Sequence, residues 1–159
     1  MSDDIVNIVI AGLGGQGVVS ASDIAADAAF RAGFDVKKAE VHGMAQRGGS
    51  VAADIRYGVR VLSPMIPAGE ADILVLLQAD QADAVGHRLK PGGLRIAPAD
   101  LASGRLGTLP PKALNIALLG ALSLRLDLPE DVWLAALDAA FRPELRAANR
   151  TAFQAGRAP

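Results

Sequence analysis

The apolar positions change rhythm along the chain, and the changes mark its elements. Ile5 to Ala11 is an apolar, β-branched run broken only by Asn7, which predicts a fully buried strand. Val18 to Ala32 carries apolar residues at helical spacing and predicts a helix closed by Gly33. A short strand is expected over Asp35 to Glu40, then a polar, glycine-rich loop. Val51 to Tyr57 alternates as a strand, Gly58 marks a turn, and Val59 to Leu62 can return as a short antiparallel strand. Pro64 and Pro67 then break regular structure. Ala71 to Leu77 reads as a second buried strand and Asp80 to Leu89 as a short helix, ended by Lys90-Pro91-Gly92-Gly93. Leu94 to Ala97 is a candidate strand, and residues 98–111 read as loop. Lys112 to Leu126 is apolar almost all round, which predicts a helix buried on most faces. Pro129, Glu130 and Asp131 suit the start of a helix running to Phe141, and a more polar helix is expected over Glu144 to Ala155.

Composition narrows the picture. The chain has 159 residues, enough for one domain, and shows no internal repeat, low-complexity tract or linker. Aromatics are only 4% against 51% hydrophobic residues, so the core must be aliphatic. A net charge of −1 with scattered cations gives no electrostatic case for nucleic acid or an anionic membrane surface. There are no cysteines, which excludes disulfides, thiolate zinc sites and cysteine-ligated iron–sulfur clusters on this chain. His42 and His87 do not make a metal-spacing pair, and no metal site is expected. The acidic N-terminus lacks the pattern of a secretory signal, and no apolar stretch is long enough to span a bilayer. A cytoplasmic location is the expectation.

Two stretches carry candidate chemistry. Gly12, Gly14 and Gly17 fit the G-x-G-x-x-G spacing between the first strand and the first helix. In such a turn one glycine permits the tight corner, the next lets a ligand approach the backbone, and the third lets helix and strand pack closely. Free N–H groups at the helix start then face an anion. The blander reading is a tight corner and nothing more. The fold expected is α/β: a Rossmann-like single domain with a mostly parallel sheet, helices on both faces and the first strand central. The second stretch runs from Glu40 to Ser50. Glu40 stands near the place of a ribose-binding acid, as in an NAD- or FAD-binding domain. Arg47 precedes Gly48 and Gly49, a cation beside exposed backbone N–H groups that suits a phosphate or carboxylate. Arg47 could equally pair with Glu40 or Asp54 and fix the loop. His42 could donate a proton, contact an anion or hydrogen-bond within the loop, and Met44 is most simply a packing residue.

GLGGQGV at 12–18 together with EVHGMAQRGGSV at 40–51 resembles the small (beta) subunit of indolepyruvate ferredoxin oxidoreductase. More broadly it is similar to the gamma subunit or gamma domain of the 2-oxoacid:ferredoxin oxidoreductases. The similarity extends to PMIPAGEADILVLL at 64–77, to LNIALLGAL around Asn115, and to a tail with Asn149, Ala152, Phe153 and Gly156. One departure is Gln78, where that pattern leads one to expect a glutamate, with a proline near Ala79. The resemblance implies a gamma-type domain over residues 1–159, not catalytic alone. It implies an accessory subunit in the oxidative decarboxylation of indolepyruvate or another aryl 2-oxoacid to the acyl-CoA. Thiamine diphosphate, magnesium and the iron–sulfur clusters are then expected on a large partner subunit, with ferredoxin as electron acceptor. Coenzyme A is the group this chain itself is expected to contact. The candidate contacts are Gly12, Gly14, Gly15, Gln16, Gly17, Glu40, His42, Gln46, Arg47, Gly48, Gly49 and Ser50. The competing readings are a stand-alone dinucleotide-binding domain and a purely structural assembly subunit.

Overall fold

The computed structural model describes residues 4–43, 49–101, 107 and 109–159. Five strands form one sheet in the order β2-β3-β1-β4-β5. They are β1 (Val6–Leu13), β2 (Asp35–His42), β3 (Ser50–Gly58), β4 (Ala71–Leu76) and β5 (Leu89–Ile96). β1 is central, as expected. It pairs in parallel with β4, and β4 with β5, while β3 runs antiparallel to both β1 and β2. Four strands thus point one way and one points back, giving a mixed, mostly parallel α/β sheet.

Successive residues of β1 face opposite sides of the sheet, and both sides are covered, which is why the strand reads as an unbroken apolar run. Ile8 and Ile10 face a core made with α1 (Val18–Arg31), α3 (Leu114–Ser123), α4 (Glu130–Ala140) and α5 (Pro143–Arg157). Val9 and Ala11 face a smaller cluster, closed by Ile66 and by the short helix α2 (Ala82–Val85). Helices therefore lie on both faces, but unequally. α3 is wrapped as its composition predicts, with Ile116, Ala117, Leu118, Leu119 and Leu122 all at or below 1% exposure. α5 reaches it through glycine. A Cβ at Gly156 would drive into the Ala117 carbonyl oxygen, and one at Gly120 into that of Phe153. The rings of Trp133 and Phe153 lie beside this contact, 6.0 Å apart.

Three expectations fail. Val59–Leu62 is not a strand, because side chains hold its backbone instead of a ladder. The Val61 N–H donates to Asp35 Oδ2 (2.7 Å), Arg56 Nη1 donates to the carbonyls of Ser63 and Met65 (2.9 and 3.1 Å), and the Ile66 N–H donates to Asp54 Oδ2 (3.0 Å). Asp54, 2% exposed, also receives both arms of Arg88 at 2.7 Å. Residues 80–89 are not one helix but α2 between two 3-10 turns, with Arg88 pinned to β3. β5 starts at Leu89 rather than Leu94, and a register shift opposite Ala71–Ile73 absorbs the intervening Lys90 to Gly93.

Gly156→Ala is expected to destabilise the domain by about 2–3 kcal/mol, because backbone-on-backbone contact leaves no side chain to yield. That lowers Tm by roughly 5–10 °C for a domain of this size. Gly86→Ala, where a Cβ meets nothing within 4 Å, should leave stability unchanged or raise it by up to about 1 kcal/mol. Thermal unfolding of both variants checks this. Equal losses would mean that Gly156 is not a packing contact.

Candidate functional site

At the carboxyl end of β1 the chain turns through the glycine segment into α1. Gly17 is the N-cap of α1 with φ +84, and no side chain caps the helix. Its carbonyl accepts the Ala21 N–H and Asn115 Nδ2 (3.1 Å), and a Cβ at Gly17 would collide with that Asn115 amide. Gly15 also has positive φ (+86), but a Cβ there would meet nothing within 4 Å. A Cβ at Gly12 would lie 2.9–3.1 Å from Gln16, Val18 and Leu77. The roles expected of the motif are therefore redistributed. The first glycine provides close packing, the third provides the left-handed corner, and the open position is Gly15. Gly14 is occupied differently: its N–H donates to the Gly49 carbonyl at 2.8 Å.

That bond joins the two candidate stretches. β2 and β3 form a hairpin, closed by the Gly43 N–H on the Ser50 carbonyl (2.6 Å), and that closed end of the strand pair lies at the same end of the sheet as the glycine loop. Leu13 faces Ser50 across β1 and β3, and His42 faces Val51 across β2 and β3. Gln46, Arg47 and Gly48, with Met44, lie outside the described residues. Gln16 locks the loop from within. Its Oε1 accepts the Leu13 N–H (2.7 Å) and its Nε2 donates to Gln78 Oε1 (2.8 Å).

Glu40 does not join the glycine loop. β3 lies between β1 and β2, so the acid at the end of β2 is two strands away, roughly 10 Å at ordinary strand spacing. The dinucleotide fingerprint needs it one strand away. Glu40 instead pairs with Lys38 and lies 3.5 Å from His42 Nε2. The Lys38 ammonium holds its carboxyl below the usual carboxylate range. Asp54, the other acid considered for Arg47, is engaged by Arg88.

Three depressions surround the first turn of α1. One of about 360 Å³ is lined by Gly14, Gly15, Ser20, His42 and Val51 among others. A second of about 320 Å³ lies between Gly15, Gln16, Gly17 and Lys112. A third of about 300 Å³ runs from Ser20, Lys112 and Asn115 to Phe141 and Asn149. Gly15 and Gly17 line the first two, Ser20 the first and third, and Lys112 the second and third. An uncapped helix start with no acid in its first turn, a lysine without an ion pair among the described residues, and a partly apolar hollow suit an anionic group on an apolar body. Sequence reasoning missed Ser20, Gln78, Asn115 as the clamp on Gly17, and Lys112. The signal for Lys112 was its position: a cation at a helix start opposes the helix dipole, so something else must favour it there.

The family model described as pyruvate ferredoxin/flavodoxin oxidoreductase matches residues 7–110. Indolepyruvate oxidoreductase subunit IorB of Thermococcus kodakarensis is 47% identical over 88 residues, 55% of this chain and 44% of that protein. The chain thus spans under half the length of that relative. The common gamma subunit of the pyruvate/ketoisovalerate oxidoreductases of Thermococcus litoralis is 31% identical over 127 residues, 78% of this chain and 69% of that one. Among solved structures, a 2-oxoglutarate:ferredoxin oxidoreductase from Magnetococcus marinus, with 2-oxoglutarate, coenzyme A and succinyl-CoA bound, shares the fold at TM-score 0.83 and 22% identity. The match covers 98% of this chain and 31% of that one. The gamma subunit of a keto/oxoacid ferredoxin oxidoreductase from Geobacter sulfurreducens matches at TM-score 0.74 and 23% identity, over 96% and 94%.

The two positive-φ glycines of the loop should respond differently to substitution. Gly15→Ala is expected to cost only left-handed strain, about 1–2 kcal/mol. Gly17→Ala adds displacement of Asn115 and should cost about 2–4 kcal/mol. Urea unfolding of the two variants checks the order, and a larger loss at Gly15 would mean that its surroundings are not open.

Proposed function

The chain belongs to the pyruvate ferredoxin/flavodoxin oxidoreductase family, and from that premise we propose that it is the small, gamma-type subunit of a 2-oxoacid:ferredoxin oxidoreductase. In that complex it presents its glycine loop to coenzyme A. The single observation that carries the reading is the Gly14–Gly49 bond, which brings two separate anion-suited stretches to the carboxyl end of β1. Strand order argues against the dinucleotide alternative, since Glu40 is two strands from the loop.

Residue chemistry divides the labour. With no cysteine, this chain cannot hold an iron–sulfur cluster through thiolates, so electron transfer belongs to a larger partner subunit. Thiamine diphosphate with its magnesium, supplied there, provides the decarboxylation chemistry. What this chain offers is binding. The start of α1 and the open backbone at Gly15 receive phosphate charge, with Arg47 and Lys112 as cations and the Ser20–Phe141 hollow as an apolar recess. The coenzyme A and succinyl-CoA bound by the Magnetococcus enzyme support that choice of ligand. The name of the 47%-identical relative favours indolepyruvate or another aryl 2-oxoacid as the substrate of the whole complex.

In a complex reconstituted with its larger subunit, Arg47→Ala should weaken coenzyme A binding by about ten- to a hundredfold, the loss of one charge-assisted hydrogen bond. Replacing Gly15 by a bulky residue should act in the same direction, while decarboxylation without the acceptor survives. A steady-state titration of coenzyme A, run beside gel filtration of the complex, measures both. Unchanged coenzyme A dependence with a dissociated complex would make the loop an assembly element, and no change in either would remove Arg47 from the site.

A further inference from the structure

β2 is an edge strand, and the phase of the ladder behind it fixes which of its backbone groups face outward. In an antiparallel pair, the backbone groups of successive residues point to alternate sides. The Gly14 N–H bonds the Gly49 carbonyl in the register of β1 and β3, so Val51, Ala53, Ile55 and Tyr57 turn their backbone groups toward β1. Ala52, Asp54 and Arg56 then turn theirs toward β2, where they face Val41, Ala39 and Lys37. The Gly43 N–H on the Ser50 carbonyl has the same phase. The N–H and C=O groups of Val36, Lys38, Glu40 and His42 therefore point away from the sheet. No described residue bonds the backbone of Lys38, Glu40 or His42 from that side. The opposite edge of the sheet is blunted, since Pro91, Gly92 and Gly93 fall in the register shift of β5.

The side chains of β2 divide between the two faces. Val36, Lys38, Glu40 and His42 lie on the face of α1, where Lys38 Nζ reaches Ser22 Oγ (3.1 Å) and Asp23 Oδ1 (2.7 Å). Lys37, Ala39 and Val41 lie on the other face. Lysines usually guard an edge against pairing, but the charges of β2 leave one pairing open. When two copies of a strand pair antiparallel about a two-fold axis, residues opposite each other share a face, so the axis passes through one residue paired with its own copy. An axis at Lys37 or Lys38 sets two ammonium groups opposite each other, and one at Glu40 sets two carboxylates. An axis at Val36 or Val41 overlaps only the tips of the strands. An axis at Ala39 avoids both faults. Lys38 then lies opposite Glu40 of the second copy, and with the Lys38–Glu40 pair inside each strand the four charges alternate around the axis. Lys37 lies opposite Val41, which is 55% exposed, and its methylene stem can cover that side chain. The hydrogen-bond phase agrees. The outward groups pair Lys38 with Glu40 and Val36 with His42, which leaves Ala39 at a non-hydrogen-bonded position, where side chains approach most closely and a methyl group fits.

We propose that β2 is a dimerisation edge: two copies of this chain join their sheets by antiparallel β2 pairing about a two-fold axis at Ala39. The inference draws only on this chain's own strands and is independent of the gamma-type reading above. The ladder bonds provide the attachment and the charge pairs choose the register, since exposed ion pairs alone contribute little. The contact is narrow, so the dimer stands in a concentration-dependent equilibrium with the monomer. Antiparallel pairing sets the two glycine loops at opposite ends of the joined sheet.

Sedimentation equilibrium of the full chain should show a weight-average mass that rises with concentration toward that of a dimer. Glu40→Lys and Lys38→Glu each set like charges opposite one another across the axis, and each alone should weaken association by about tenfold or more. Mixing the two variants restores opposite charges in the heterodimer only, and association should return close to that of the parent. Damage to the fold of either variant is not repaired by mixing. Amide exchange in the unaltered chain gives a second readout. Between dilute and concentrated solution the amides of Lys38, Glu40 and His42 should slow severalfold, while those of Lys37, Ala39 and Val41, turned toward β3, should not change. A chain that stays monomeric up to about 1 mM overturns the proposal and leaves the edge to a different chain or to water. A dimer that both variants keep also overturns it, by placing the contact elsewhere. So does a loss in both variants that mixing does not restore, or slowed exchange confined to other strands.

Discussion

Eight consecutive residue pairs of antiparallel ladder join β3 to β1, and eight more join it to β2. This doubly paired strand, running against the other four, sets the spacing of everything at the ligand end. It moves β2 out to the sheet edge and takes Glu40 away from the glycine loop. In exchange it delivers the β2–β3 connection to that loop, close enough for the Gly14 N–H to reach the Gly49 carbonyl. The place an acid would take beside the glycine loop is thus filled by a second glycine-containing backbone. The same strand carries Asp54 and Arg56, so it also clamps the 59–66 loop.

Much of this was legible because burial writes itself into composition. β1 and β4 are covered on both faces and appear as unbroken apolar runs, α3 is buried all round, and α1 begins and ends within a residue of the expected positions. What escaped depended on contacts distant in sequence. Nothing local in Val59–Leu62 says that Asp35, Asp54 and Arg56 will hold the nearby backbone and displace a ladder. Nothing in Leu89–Gly93 says that a register shift will carry the strand through two glycines.

The site was legible in kind more than in detail. The glycine spacing located the corner, but the division of roles among its glycines depended on Asn115 and Leu77, residues 98 and 65 positions from the glycines they crowd. Three of the tail residues of the family pattern prove to be about packing. Ala152 and Phe153 are fully buried, and Gly156 sits on the α3 backbone. They position α3, and through Asn115 at its start they steady the Gly17 carbonyl.

The Gln16–Gln78 contact has one more consequence. With a glutamate at position 78, the Gln16 amide would donate to a charged oxygen, and the tether of the glycine loop would titrate. That carboxylate would also stand beside the proposed anion site and repel an anion there, by about 1 kcal/mol at contact distance even in high dielectric. The neutral amide supplies the same acceptor without a proton to gain or lose. The loop's anchorage is therefore uncoupled from acidity. The latch that holds the backbone in place adds nothing of its own to any pH dependence at this end of the sheet.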